Sequence, residues 1–490
     1  MVNRIVFVHG WSIHHTGTYG ELPERLGREI PGLDVHHLHL AKYISFKDEV
    51  RMNDLANAME AAIRTELKPD DTFAVIAHST GGPLVRTWWQ RHYLETGKRC
   101  PMTHAIYLAA AHFGSALAQL GKGTLGRIKG FVEAIEPGVG ILNWLELGSP
   151  EAWALNEKGI RLEETFKWPV PVFQFCLVGQ AIDRKLYDNL NSYTGEMGSD
   201  GTVRAAAANL TASYVRLLQQ APTSAQIKNG KPSPLVFDAQ RIVRSQEVAF
   251  SLIPATSHSG LQMGIMRSVK ATGPRPVVVD RMMECLAVTN AGEYAAVVKR
   301  FASETDAVVE AELVEFEDKL LIDRTFLHDR CSMVIIRVRD EEGSVPDDMR
   351  IIFSGENSDP NKLPEGFLID RQANKRDKGT ITFFFDYDVM NGSPARYLEL
   401  PGKRRKKVRD AIEPLSGLGL RIEAFPDNGF AHYHPCEAKA SAELLHEFLT
   451  PHQTTLIEIV LKRIVHKGAF QFAPDLTREE FRDATPGDIL

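Results

Sequence analysis

Residues 73–89 read FAVIAHSTGGPLVRTWW. A strand-length apolar run, Phe73 to Ala77, meets a serine between small residues and then a segment of helical character. A strand that hands over to a helix so abruptly belongs to α/β architecture, and the same alternation recurs along the first 300 residues. Arg4 to Gly10 (RIVFVHG) reads as a buried strand ending in a glycine turn. Asn53 to Leu67 carries apolar residues at helical spacing, with Asn53 available as its N-cap. A helix over Gly82–Glu95 follows, then strands over His104–Ala111, Pro171–Gly179 and Val248–Ala255. Their Val/Ile/Phe runs are continuous rather than alternating, which implies a mostly parallel sheet covered by helices on both faces.

Two further regions depart from that pattern. Phe113 to Lys167 is rich in glycine and in apolar residues such as Phe131, Trp144 and Leu145. A connection this long inside an α/β domain is usually a functional insertion, and we read it as a helical cap over the carboxyl edge of the sheet. Ordinary helices packed on the sheet flank are the plainer alternative. Beyond residue 300 come strands divided by polar, Pro/Gly/Asp-rich turns: Ser332–Asp340, Arg350–Gly355, Gly379–Met390 and Gly419–Pro426. Cys436 to His466 reads as helical at first and strand-like later. These features divide the chain into a catalytic domain over 1–303 with a cap at about 113–167, an antiparallel β-rich accessory domain over 304–475, and a tail over 476–490.

The chemistry centres on Ser79. A serine hydroxyl is a weak nucleophile unless a base takes its proton, and it must stand clear of the backbone. A sharp strand–nucleophile–helix turn achieves this when the residues two before and two after are very small. Here they are Ala77 and Gly81. Partners in the order Ser, acid, His are present. Asp200 sits in a Ser-Asp-Gly turn, and His258 follows the strand that ends at Ala255. Both fall beyond carboxyl ends of strands, where reacting groups of such sheets collect. Asp183 is the rival acid; the turn favours Asp200. His258 would act as the base and Asp200 would fix its tautomer. The oxyanion needs two N–H donors, for which Thr80 and Trp11 are the candidates. His9 reads as a structural residue of the loop after the first strand, and His14 and His15 as surface groups.

FVHGW, AHSTGG, YLAAAHFGSALA, SDGTV and TSHSG, in that order, resemble the corresponding segments of α/β-hydrolase-fold lipases and esterases. AHS-x-GG is similar to bacterial lipases, and DG-x-V to lecithin:cholesterol acyltransferase-like enzymes. The resemblance covers about residues 1–290. It implies ester hydrolysis through an acyl-enzyme on Ser79, with Asp200 and His258 completing the triad and Trp11 and Thr80 as oxyanion donors. The apolar cap points to an acyl chain as the substrate's main handle, hence a lipase or phospholipase. A short-chain esterase, thioesterase or amidase would use the same triad. The two-domain plan also resembles antibacterial phospholipase effectors, and a silent hydrolase scaffold that binds a partner is the non-enzyme alternative.

The remaining features bound the setting. A net charge of −6 argues against a nucleic-acid-binding surface. Five scattered cysteines without a CxxC read as reduced thiols, and the first residues leave no room for a signal peptide, so a cytoplasmic location is expected. Lys403 to Arg409 (KRRKKVR) holds six cations in seven residues: a solvated loop or helix face, or a contact for anionic lipid head groups. His432 and His434 in HYHP lack further ligands nearby, so no metal is expected, and no cofactor either.

Overall fold

The computed structural model describes residues 2–8, 19–38, 50–68, 70–119, 139–162, 172–182, 197–239, 242–317, 324–355, 358–400 and 404–466. The strands run β1 (Arg4–Val8), β2 (Asp34–Leu38), β3 (Phe73–His78), β4 (Met102–Leu108), β5 (Phe173–Val178), β6 (Ala212–Gln219), β7 (Ser233–Phe237), β8 (Val243–Arg244) and β9 (Ala249–Leu252). β10 (Val314–Glu317), β11 (Arg324–Leu327), β12 (Cys331–Asp340), β13 (Asp348–Ser354), β14 (Leu368–Ala373), β15 (Thr380–Asp386), β16 (Arg396–Leu400) and β17 (Arg404–Arg409) come next. The last are β18 (Gly417–Phe425), β19 (Ala431–Tyr433), β20 (Cys436–Ser441), β21 (Thr454–Leu461) and β22 (Arg463–Val465).

A six-stranded sheet, ordered β2-β1-β3-β4-β5-β9, is parallel throughout. Its central strand β3 is buried at every position, as a strand covered on both faces must be. The longer helices are α1 (Leu22–Glu29), α2 (Met52–Glu66), α3 (Gly81–Trp89), α4 (Val139–Leu145), α5 (Pro150–Ile160), α6 (Val277–Ala287), α7 (Ala291–Glu312) and α8 (Ala442–Phe448). No helix of the described residues is long and apolar enough to cross a membrane. The N-cap of α2 is Arg51 rather than Asn53. The Arg51 N–H donates to the Asp54 carboxylate at 2.9 Å, and Asn53 lies inside the helix.

The second sheet is mixed, not antiparallel. Nine strands run β13-β18-β20-β7-β6-β21-β12-β15-β14, and β8 pairs with β6. β21 lies parallel to both β12 and β6, and β20 parallel to β7. Three of its strands, β6 to β8, come from the chain before residue 303, whereas α7 packs on β9 of the first sheet. The sequence division near 303 therefore does not separate the two sheets. Cys436–Ser441 is a strand and only Ala442–Phe448 is helical. Ala, Glu and Lys favour a helix weakly, and ladders with β18 and β7 override that preference. KRRKKVR is likewise neither loop nor helix over its described part. Arg404–Arg409 forms β17, paired with β16.

One apolar cluster spans both sheets: Ile76 and Leu177 of the first belong to it together with Met333, Ile335, Phe384 and Leu456 of the second. The described part of the 113–167 insertion holds α4 and α5. Asn156 of α5 accepts from Arg86 of α3 at 2.7 Å and donates to the His112 carbonyl at 2.8 Å, and Trp153 lies under the Arg337 guanidinium of β12. α5 thus bridges α3 to the second sheet; residues 120–138 and 163–167 of the insertion, and the 476–490 tail, lie outside the described residues.

Candidate active site

Between β3 and α3 the chain turns at Ser79, whose φ is 55°. A left-handed serine is strained, and the surroundings hold it there. Its N–H donates to the Leu108 carbonyl at 3.0 Å, and its own carbonyl accepts from Gly82 at 3.1 Å. The small neighbours have a steric reason. A Cβ on Gly81 would stand 2.8 Å from the Val8 carbonyl oxygen, and one on Gly82 would stand 2.4 Å from the Ala110 Cβ. Tyr19, fully buried, locks the same corner: its hydroxyl donates to the Val8 carbonyl at 2.7 Å and accepts from the His78 N–H at 3.2 Å.

The loop after β9 delivers His258 to this turn. His258 Nε2 lies 3.2 Å from Ser79 Oγ, and Nδ1 lies 2.9 Å from Asp200 Oδ2. His258 and Asp200 are 2% and 0% exposed, so water does not compete for the carboxylate–imidazole contact. Asp200 Oδ1 accepts from the N–H groups of Thr202 and Val203 at 3.0 and 2.8 Å, and the Asp200 carbonyl accepts from the His258 N–H at 2.9 Å. With Nδ1 facing the carboxylate, the proton sits there and Nε2 is left as an acceptor for the serine hydroxyl. Thr80 caps α3, and its N–H makes no hydrogen bond among the described residues, so the donor is available at the serine. Trp11, the other expected donor, lies outside the described residues, as do His9, His14, His15 and the rival Asp183.

Two residues here carry no mark in the sequence pattern of serine, acid and base. His78 packs its ring against that of His258, centroids 4.7 Å apart, and its Nε2 lies 3.3 Å from the His258 carbonyl oxygen. Arg204, 4% exposed, carries the far end of the Asp200 turn onto the second sheet. His78 stands inside the AHSTGG motif, a signal that could have found it; nothing local marks Arg204. His112 lies behind the turn, edge-on to Tyr107, and burial holds its imidazole neutral by pushing it well below its ordinary range.

For a cation, three buried carboxylates come together: Asp329, Asp386 and Asp388 offer oxygens within 4.8 Å of one another. Arg409 already pairs with Asp329, and Arg330 with Asp388. Burial and the neighbouring Asp329 charge push Asp386 up to about 8. This set is a counter-ion and proton-sharing cluster in character. His432 and His434 turn to the backbone carbonyls of Gly429 and Lys231.

A parallel, helix-covered sheet with a sharp strand-to-helix turn after β3 is the α/β-hydrolase fold of lipases and esterases, here joined to a β-rich C-terminal region. No family model matches the chain, and no curated protein does. Among solved structures it is similar to phospholipase PlaB from Legionella pneumophila, at 36% identity over 98% of both chains with a TM-score of 0.83. It is equally similar to PlaB in complex with thio-NAD, at 36% identity over 97% of both chains with a TM-score of 0.81. The chain belongs to the PlaB family of α/β-hydrolase-fold phospholipases.

Proposed function

We propose that the chain hydrolyses a carboxylic ester of a phospholipid through an acyl-enzyme on Ser79. His258 Nε2 takes the hydroxyl proton as Oγ attacks the acyl carbonyl, then returns it to the departing alkoxide. A water, deprotonated by the same imidazole, attacks the acyl-enzyme and releases the fatty acid. Asp200 keeps the imidazole in its tautomer and balances its transient charge. Thr80 N–H, with Trp11 N–H as partner, stabilises the oxyanion, each donor being worth about 3–4 kcal/mol. The observation that carries this reading is the unbroken contact chain Ser79–His258–Asp200, at 3.2 and 2.9 Å, behind a strained serine. The PlaB likeness supports a phospholipid as the substrate. Peripheral attraction to anionic membranes through Arg404–Arg409 fits the same picture.

The test is fatty-acid release from diacyl-phospholipid vesicles and from p-nitrophenyl esters of increasing chain length, with Ser79→Ala as control. We expect long-chain preference and a loss of about 10⁴-fold or more in the variant. Short-chain preference would favour an esterase, thioesters or amides as best substrates would favour a thioesterase or amidase, and equal activity in the variant would remove the assignment. Antibacterial delivery would show as growth arrest of a neighbouring cell that depends on Ser79.

A second reading concerns a ligand. PlaB has been solved with thio-NAD, and a cleft of about 710 Å³ at the start of α2 has chemistry suited to a pyrophosphate. Arg51 and Arg91 line it, and neither makes an ion pair among the described residues; Arg91 Nε donates to Asn57 at 3.2 Å. Calorimetric titration with thio-NAD should show binding that weakens at least tenfold in Arg51→Ala/Arg91→Ala. Unchanged binding would place the ligand elsewhere.

A further inference from the structure

The turn that presents Asp200 is a small hairpin closed at its base by Arg204. Ser199 and Arg204 form an isolated antiparallel bridge, the Ala205 N–H donates to the Gly198 carbonyl at 2.8 Å, and the Asp200 N–H donates to the Val203 carbonyl at 3.1 Å. The Arg204 guanidinium lies over the Phe384 ring of β15, 3.8 Å from the centroid, and Nη2 lies 3.4 Å from the carboxylate of Asp370 on β14. Phe384 and Asp370 are cross-strand partners, so one β-ladder of the second sheet supplies both contacts. Two more bonds fix the chain beyond the hairpin: Thr454 Oγ1 of β21 donates to the Ala206 carbonyl at 2.9 Å, and Asn209 Nδ2 donates to the His452 carbonyl at 2.8 Å.

From this arrangement we propose that Arg204, seated on Phe384 of the second sheet, is the positioning residue for the acid of the site. The β-rich region is then part of the catalytic scaffold and not only an appended module. The inference rests on the reading of Asp200 as the triad acid. Arg204 does not touch Ser79 or the substrate; it acts by holding the hairpin so that Asp200 Oδ2 meets His258 Nδ1. A stacked guanidinium suits the task because it is planar and desolvates more readily than an ammonium. Misplacement of a reacting group by about 1 Å can cost on the order of 100-fold in rate.

The test is a mutant cycle on the full chain, with kcat and KM measured on one ester substrate. Arg204→Met should lower kcat by about 10- to 100-fold with KM within about twofold, because the acyl site is untouched. Arg204→Lys, which keeps a cation but not the planar stack, should recover only part of the loss. Phe384→Leu, similar in apolar character but without a π face, should lower kcat by about 3- to 10-fold and carries the test should Arg204→Met fail to fold. In an Asp200→Asn background, Arg204→Met should cause no further fall beyond about threefold, since the group it positions is already disabled. Wild-type kcat in both Arg204→Met and Phe384→Leu, or a full extra loss on top of Asp200→Asn, would overturn the clamp while leaving the triad standing. Wild-type kcat in Asp200→Asn itself would overturn the triad reading and the clamp together.

Discussion

The two sheets are assembled in opposite ways. In the first, every strand pairs in parallel with its neighbours; β3 passes to β4 through α3 within about 30 residues, whereas the passage from β5 to β9 runs through strands of the other sheet. In the second, β21 lies between β6 and β12, so Leu456 meets Tyr214 on one side and Ile335 on the other. Strands far apart in sequence close that sheet, and those from 212–244 are the chain that runs between Asp200 and His258. The excursion that separates Asp200 from His258 in sequence is therefore built into the other sheet. The hairpin that carries Asp200 is held from both sides, by Ser115 and His258 from loops of the first sheet and by Arg204 on Phe384 of the second.

The largest effect that separates the roles of the two sheets comes from Asp200→Asn. It should lower kcat by about 10⁴-fold, the scale of a wrong imidazole tautomer, while thermal unfolding stays near wild type. A small kcat change alongside lost stability would make the aspartate a structural residue only.

The same contrast decides how much was legible in the sequence. Ser79 and His258 stand in short motifs just past strand ends and Asp200 in a Ser-Asp-Gly turn, so the sequence could single out all three, and the turn's demand for small residues is local. The parallel sheet was readable because its strands are continuous apolar runs. The second sheet was only partly so. Its strands after 330 showed turn punctuation, but nothing in residues 212–237 announces a ladder with residues 454–460. The misread stretch at Cys436–Ser441 has helix-favouring residues on a strand, where pairing rather than propensity decides. Arg204 was invisible for the same reason: Phe384, the ring it stacks on, lies 180 positions away.

The shared core gives the next largest effect. Leu456 is fully buried in the cluster that spans both sheets, so Leu456→Ala should cost about 2–5 kcal/mol. Calorimetry should then show one cooperative transition shifted as a whole. Separate melting of a C-terminal unit, with the rest unmoved, would show that the sheets do not share a core.

The seam also predicts a pH dependence. Burial, followed by the Arg330 charge, pushes the His452 imidazole down to about 4. Its ring faces Phe250 of β9, centroids 6.0 Å apart, and its backbone carries the Asn209 bond. The unfolded chain takes the proton near pH 6.5 and the folded chain only near pH 4. This group's contribution is thus present above about pH 6.5 and lost as pH falls toward 4, on the order of 3 kcal/mol. His452→Asn, whose side chain tolerates the observed φ of 56°, should flatten that slope in denaturant unfolding between about pH 7 and 4.5. An equal slope in wild type and variant would assign the acid sensitivity elsewhere.

The smallest effect belongs to the basic strand. Arg405 pairs with Glu399 and Lys407 with Asp410, in exposed positions that contribute little to the fold. Arg405→Glu and Lys406→Glu should leave unfolding unchanged and weaken flotation with anionic vesicles by about fivefold per charge. Unchanged flotation would remove β17 from membrane attraction.

Covalent trapping tests the central claim most directly. A fluorophosphonate should add one adduct to the full chain, mapped by peptide mass spectrometry to Ser79, with labelling lost in Ser79→Ala and slowed at least about 100-fold in His258→Ala. An adduct on another residue, or labelling of His258→Ala at the wild-type rate, would contradict it.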